Sequence, residues 1–106
     1  MNVRFAPNAI RVRISADEFS QLRSGKTLSL KVFLTGHHVF SAAVSVATDN
    51  QWHFDSDPTG LWISAPRTEV EALAENLPSK EGVEHAFETS GGELLVSLEV
   101  DVKKHR

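Results

Sequence analysis

Residues 60–77 constrain the fold most, because an apolar strand pattern runs there directly into an amphipathic helix pattern. Leu61, Trp62 and Ile63 form the apolar run, and apolar residues then recur at the three- and four-residue spacing of one helical face. Pro66 stands between the two patterns, where the first turn of a helix tolerates the missing N–H of proline. The stretch therefore predicts a strand that leads straight into a helix.

The ends of this helix follow from capping and proline rules. Thr68 and Glu71 have the spacing of a capping box and offer a start about two residues after Pro66. Pro78 predicts the end, since the residue before a proline avoids the helical region. A strand joined directly to an amphipathic helix is typical of an α+β domain in which the helix packs on a sheet.

A similar strand–helix unit lies near the N-terminus. Apolar side chains alternate with Arg11 and Arg13 over residues 8–14, which predicts a strand with one polar face. Ser15 and Glu18 then have the spacing of a capping box, which predicts that a helix begins there.

The remaining alternating patterns predict further strands in a mostly antiparallel arrangement of hairpins. No internal repeat is recognisable. We expect one α+β domain over residues 1–106, with a twisted sheet of about seven strands in the order β-α-β-β-β-β-α-β-β and both helices packed on one face. The further strands are predicted at residues 27–35, 39–48, 51–56, 83–89 and 93–103.

Composition narrows the function classes. The chain has 106 residues with 41% hydrophobic and 24% charged side chains, which are ordinary globular values. It has no cysteine, which excludes thiol catalysis and thiolate metal ligation. The net charge of −3 disfavours nucleic-acid binding, and the basic residues 103–106 are too few to reverse that expectation. No apolar run is long enough to cross a membrane, so we expect a cytoplasmic protein.

Histidines and carboxylates suggest one candidate metal site. His53 and Asp55 lie two residues apart, so they share one strand face, with Asp57 close by. Imidazole and carboxylate groups can bind Zn²⁺ or a similar ion, although a structural zinc site needs four ligands. The alternative is a solvated strand face opposite core residues. The adjacent His37 and His38 indicate an exposed turn.

The strongest charge pattern joins the two ends of the chain. Glu99, Asp101 and Lys103 recur at period two on the outer face of the last strand, as Arg11 and Arg13 do on the first. We expect the two strands to be neighbours, with Arg11 facing Glu99 and Arg13 facing Asp101 in a charge ladder worth about 0.2–1 kcal/mol per pair. Unpaired arginines would instead form an anion site.

The same residues loosely resemble the Glu-x-Glu-x-Lys signature of the triphosphate tunnel enzymes. The resemblance implies acidic residues that hold a divalent cation and basic residues that hold a polyphosphate inside a closed barrel. This chain departs from the pattern in three ways: the match lies near the C-terminus, Asp101 replaces a glutamate, and the chain is short for a tunnel.

Both tryptophans are expected in the core. Trp52 and Trp62 are large apolar groups in a small domain. A tryptophan that is exposed would instead be the anchor of a partner surface, because tryptophan is enriched at binding hot spots.

The ends of the chain also resemble a family of small uncharacterised bacterial proteins. The resemblance is carried by the Ile-Arg-x-Arg strand at residues 10–13, the capped helix after Ser15, and the Glu-x-Asp strand at Glu99 to Asp101. It implies a bacterial, cytoplasmic protein and carries no activity across.

These observations favour a small non-enzymatic binding or protein-interaction module, since no nucleophile–base or acid–base constellation stands out. The alternative is a small phosphate- or divalent-metal-dependent enzyme that uses the polar sheet face of Arg11, Arg13, Glu99 and Asp101. We expect no cofactor, no nucleic acid and no membrane. A protein partner or self-association is the expected interaction.

Overall fold

A computed structural model describes residues 1–77 and 81–101. Within them the chain forms two helices and eight strands in the order ββαββββαββ. The helices are α1 (Ala16–Arg23) and α2 (Arg67–Glu75), and the strands are β1 (Asn2–Ala6), β2 (Ala9–Ser15), β3 (Leu28–Phe33), β4 (Val39–Val46), β5 (His53–Asp57), β6 (Gly60–Ala65), β7 (Val83–Thr89) and β8 (Gly92–Asp101).

The strands form two four-stranded sheets. The first sheet has the order β1-β2-β8-β7 and the second has the order β3-β4-β6-β5. The outer pairs are antiparallel hairpins, whereas the two central pairs, β2 with β8 and β4 with β6, are parallel. The α+β class is therefore confirmed, but the expectation of one sheet of about seven strands is wrong. The missed strand is β1, in which Val3 and Phe5 alternate with Asn2 and Arg4.

The two sheets enclose a common core. Apolar side chains from the inner faces of β2, β8, β4 and β6 belong to one buried cluster. Each helix contributes two buried residues to the same cluster, Phe19 and Leu22 from α1, Val70 and Leu73 from α2. The helices thus pack into the space between the sheets rather than on one face of a single sheet, as the sequence had suggested. The outer face of each sheet remains accessible.

The chain contains an internal repeat of topology that the sequence patterns did not reveal. Read from β5, the second sheet has the order β5-β6-β4-β3. These strands correspond in turn to β1, β2, β8 and β7 of the first sheet, and each corresponding pair is four strands apart in the chain. Core residues of the two halves correspond at a constant spacing of 51 residues. The corresponding pairs are Ile10 with Leu61, Val12 with Ile63, Ile14 with Ala65, Phe19 with Val70, and Leu22 with Leu73.

The first helix begins as the sequence predicts. The Ser15 hydroxyl accepts a hydrogen bond from the backbone N–H of Glu18, and the Glu18 carboxylate accepts one from the backbone N–H of Ser15. The helix is followed by Gly25 in the left-handed region, with a φ of 103°. This reciprocal capping pairs two backbone N–H groups at the start of α1 that would otherwise lack a partner within the helix.

The second helix begins differently from both predicted starts. Pro66 is its N-cap rather than its first helical residue, and the cap has no side-chain hydrogen bond. Thr68 lies inside the first turn, where its backbone N–H donates to the Asn50 side chain. The helix ends at Glu75, so Pro78, which lies outside the described residues, is not its immediate stop. Within the described residues, neither helix is long and apolar enough to cross a membrane.

Candidate functional site

The first and last strands meet at the centre of the first sheet, as the charge pattern predicted. Strand β2 pairs with β8 in parallel, and this register sets Arg13 beside Glu99 and Arg11 beside Ser97. All of these side chains point to the outer face, because their neighbours in sequence are buried in the core. The two ends of the chain therefore build one polar surface.

A single carboxylate serves both arginines. Arg11 donates from Nε to Glu99 Oε2 at 3.1 Å and from Nη2 to the same oxygen at 3.0 Å. Arg13 donates from Nη2 to Glu99 Oε1 at 3.5 Å. The Glu99 side chain is 14% exposed, against 51% for Arg11 and 46% for Arg13. Glu99 thus lies under the two guanidinium groups and holds them from below.

The predicted pairing of Arg13 with Asp101 is wrong. The parallel register sets Asp101 beside Ser15, one row beyond Glu99, and Asp101 makes no hydrogen bond or ion pair in the described part of the chain. Lys103, the third residue of the period-two pattern, lies outside the described residues. Arg11 and Glu99 do form the expected contact, so half of the ladder exists.

Strand β1 adds a third arginine that the sequence patterns missed. Arg4 lies directly opposite Arg11, and Asn2 lies directly opposite Arg13, in the antiparallel pair of β1 and β2. Together with Glu99, these residues line a shallow surface cleft that is partly open to solvent and encloses only about 10 Å³. We call the surface formed by Asn2, Arg4, Arg11, Arg13 and Glu99 the arginine face. The sequence does carry a signal for this strand, since Met1, Val3 and Phe5 alternate with Asn2 and Arg4.

Positive charge is concentrated on the β1 and β2 side of this sheet face, whereas Glu84, Glu88, Glu93 and Asp101 lie on its β7 and β8 side. Arg4 and Arg11 are like charges at directly opposed positions, an arrangement that is normally destabilising. Within residues 1–77 and 81–101, Glu99 is the one carboxylate that bonds any of the three guanidinium groups, and it bonds those of Arg11 and Arg13. Glu84 lies on the same face but on β7, two strands from β2, which is roughly 9–10 Å away. Arg4 has no hydrogen-bond or ion-pair partner among the described residues.

Comparison with known proteins identifies the family. A model described as a family of unknown function (DUF7009) matches residues 1–104. The chain belongs to that family. No curated protein and no solved structure matches the chain. The match covers both ends of the chain, including all the residues of the arginine face, and supplies no activity for them.

In this DUF7009 protein the two residues of the predicted metal pair, His53 and Asp55, each contact a different neighbour. His53 Nε2 lies 2.7 Å from Asp49 Oδ2, and Asp55 Oδ1 accepts a hydrogen bond from the backbone N–H of Ser56. The contact with His53 lowers the pKa of Asp49, although burial acts slightly against it. The described residues contain no group of three or more histidine or carboxylate side chains that could hold a metal ion.

The two tryptophans have different environments. Trp52 is buried, as expected, and donates from Nε1 to Glu69 Oε2 at 2.9 Å. Trp62 is 39% exposed on the outer face of the second sheet, so the expectation of a core position is wrong. Alternation explains the difference, because Leu61 and Ile63 on either side of it face the core. The sequence hypothesis that an exposed tryptophan anchors a partner surface therefore applies to Trp62.

Two glutamates with lowered pKa values stabilise the two helices, and neither of them lies in the cleft. Burial alone raises the pKa of Glu18, but hydrogen bonds from the N-terminal ammonium group of Met1 and from Ser15 outweigh it and lower the pKa. Hydrogen bonding and charge from Arg23 and Arg67 lower the pKa of Glu71. These groups tie α1 and α2 to their surroundings.

Proposed function

We propose that this protein is a non-enzymatic binding module whose arginine face holds an anionic group. The observation that carries the proposal is the arrangement of three guanidinium groups around one carboxylate, with Arg4 left unpartnered opposite Arg11. Arginine matches carboxylate and phosphate oxygens in a bidentate geometry, which makes these two oxyanions the expected ligand chemistry. Glu99 then acts as an organiser that fixes Arg11 and Arg13 for the incoming anion.

The geometry favours binding over catalysis. The cleft encloses only about 10 Å³, far less than the roughly 300–1,000 Å³ of sites that enclose a small molecule, and it is open to solvent. Glu99 is engaged by two guanidinium groups, so a divalent cation could use its oxygens only by displacing them. In the alternative, a phosphate- or metal-dependent enzyme, Asp101 would act with Glu99 from the same face of β8, but Asp101 lies beside Ser15 and makes no contact with the arginines in the described part of the chain.

We also propose that the module works in a bacterial cytoplasm. The support is the resemblance of its capped first helix and its Ile-Arg-x-Arg strand to small bacterial proteins. A protein partner is the expected source of the anionic group, since an open cleft on a sheet face suits a side chain presented by another surface.

Isothermal titration with inorganic phosphate and with a short polyglutamate peptide, at low ionic strength, tests the proposal and separates the two oxyanions. We expect binding by at least one of them. Arg4→Gln should weaken it about 10-fold or more, because a hydrogen bond to a charged group contributes about 1.5–3 kcal/mol. Arg4 has no partner within the described chain, so this substitution should leave the free energy of unfolding nearly unchanged.

Lys26→Gln is the matched control, because it also removes one exposed positive charge, at the loop after α1. An affinity loss in Arg4→Gln that Lys26→Gln does not share supports a specific site. Equal losses in the two variants, or no binding of either anion to the native protein, would contradict the proposal.

A further inference from the structure

The outer face of the second sheet corresponds to the arginine face but carries an acidic residue, Asp55, at the position of Arg4. Residues 51 positions after Arg4 and Arg11 are Asp55 and Trp62, and they are directly opposed on β5 and β6, as Arg4 and Arg11 are on β1 and β2. The neighbouring row of this sheet holds Asp57 opposite Gly60. We call the surface around Asp55, Asp57 and Trp62 the tryptophan face.

The tryptophan face is flat and open around its aromatic ring. Trp62 is flanked across β4 by Ala43, and the next row contains Gly60 beside Ser41. A side chain at Gly60 is excluded, because its Cβ would overlap the backbone oxygen of Ser41. These small residues leave the indole ring accessible, so a guanidinium group could stack on it while it approaches the carboxylates.

We propose that the occupant of each face is the other face of a second copy of this chain. The inference rests on the proposed function, since it names the anionic partner of the arginine face as the carboxylates of the tryptophan face. The two faces have the same strand order, so their dimensions match, and Asp55 with the neighbouring Asp57 offers carboxylates to the guanidinium groups of Arg4, Arg11 and Arg13. Sheets stack face to face at about 10 Å, a distance that long arginine side chains can span.

In one orientation of the two copies, oppositely charged residues meet at both edges of the faces. When the strands run in opposite directions, β1 lies over β5 and β7 lies over β3. The row of Arg4 and Arg11 then covers the row of Asp55 and Trp62, and Arg13 approaches Asp57. At the far edge, the acidic strand β7 lies over β3, which carries Lys31.

The contact joins two different surfaces on opposite sides of the molecule, so it is heterologous. Such contacts produce rings when the rotation closes and open chains when it does not. Each face spans roughly 15–20 Å in both directions, from four strands at about 4.8 Å and five or six residues at about 3.3 Å. The buried area therefore falls at the low end of specific interfaces, near or below about 1,200 Å². We expect a weak association that added salt abolishes.

Sedimentation velocity at about 0.02 M and about 0.5 M salt tests the inference. The native protein should associate in a concentration-dependent way at low salt and be monomeric at high salt. Arg4→Glu and Asp55→Arg should each weaken the association by more than about tenfold, because like charges then meet across the contact. A mixture of these two variants should associate again, since the mixture restores opposite charges at both kinds of contact.

Two charge-matched controls complete the design. Lys26→Glu and Glu75→Arg make the same charge changes at exposed positions off both faces, and they should associate like the native protein. A native protein that stays monomeric at low salt, or a mixture that fails to associate, would overturn the inference. If phosphate or polyglutamate still binds the arginine face of that monomer, the proposed function survives; if neither binds, both fail.

Discussion

The two sheets of this protein share one topology but differ on their outer faces. Inside, the corresponding positions are uniformly apolar: Val12 and Ile63 are both buried, as are Leu22 and Leu73. Outside, Arg4 corresponds to Asp55, and Arg11 corresponds to Trp62. Packing therefore constrains only the core-facing side chains of each strand. The outward-facing side chains are free to carry recognition, and here they differ between the two copies of the motif.

The largest expected effect concerns Gly60 in the second sheet and the corresponding Ala9 in the first, because only the position of Gly60 requires glycine. Gly60→Ala places a Cβ against the backbone oxygen of Ser41, which cannot move without disturbing the pairing of β4 and β6. We expect a loss of roughly 3 kcal/mol or more in the free energy of unfolding, measured by urea denaturation. The corresponding residue Ala9 already carries a Cβ, so Ala9→Gly should cost only about 0.5–1 kcal/mol. Equal losses in the free energy of unfolding for the two variants would contradict this difference between the sheets.

The next effect concerns the two glutamates at the third position of each helix. Glu18 accepts from the Met1 ammonium group and the Ser15 backbone, whereas Glu69 accepts from Trp52 Nε1. Glu18→Gln should cost about 1–2 kcal/mol at neutral pH, because it removes hydrogen bonds to a charged group in a partly exposed site.

This cost should depend on pH. The folded pKa of Glu18 lies below its usual value of 4.5, so its contribution is complete above about that pH and is lost as the pH falls through the folded pKa. Urea denaturation at pH 7 and at about pH 3 should therefore show the native and Glu18→Gln proteins converging in stability. A difference that stays constant with pH would mean that the carboxylate charge is not responsible.

The smallest expected effect compares corresponding cross-strand pairs on the outer faces. In the first sheet, Arg13 Nη2 lies 3.5 Å from Glu99 Oε1. At the corresponding place in the second sheet, Ser64 Oγ lies 3.1 Å from Ser45 Oγ. Double-mutant cycles to alanine should give coupling of a few tenths to about 1 kcal/mol for each pair. Added salt should weaken only the charged pair. A cycle on Arg13 and Asp101 should give no coupling.

Sequence patterns predicted the local structure well where one element decided it. The capping box of Ser15 and Glu18, the hairpin of β7 and β8, and the α+β class all follow from short-range rules. They failed where distant segments decide: one sheet or two, the parallel register of β2 with β8, and the position of the helices between the sheets. No local signal distinguishes these arrangements, because they depend on which inner faces pack together.

The candidate site could be predicted only in part for the same reason. Arg11, Arg13 and Glu99 were identified from alternation, and their strands do meet. Asp101 was assigned the wrong partner, because register in a parallel pair is set by the whole strand and not by its charges. Arg4 was missed with its strand, and Trp62 was expected in the core although its alternation with Leu61 and Ile63 points it outward.

The central claim is that the arginine face binds anions and the corresponding tryptophan face does not. Titration with phosphate and, separately, with polyglutamate, each followed by ¹H–¹⁵N NMR, tests it most directly, since side-chain Nε–Hε signals report each arginine separately. We predict saturable shifts at Arg4, Arg11 and Arg13, with the signals of Asp55, Trp62 and Ser64 unmoved. Shifts of equal size on both faces, or none at the three arginines, would contradict the account.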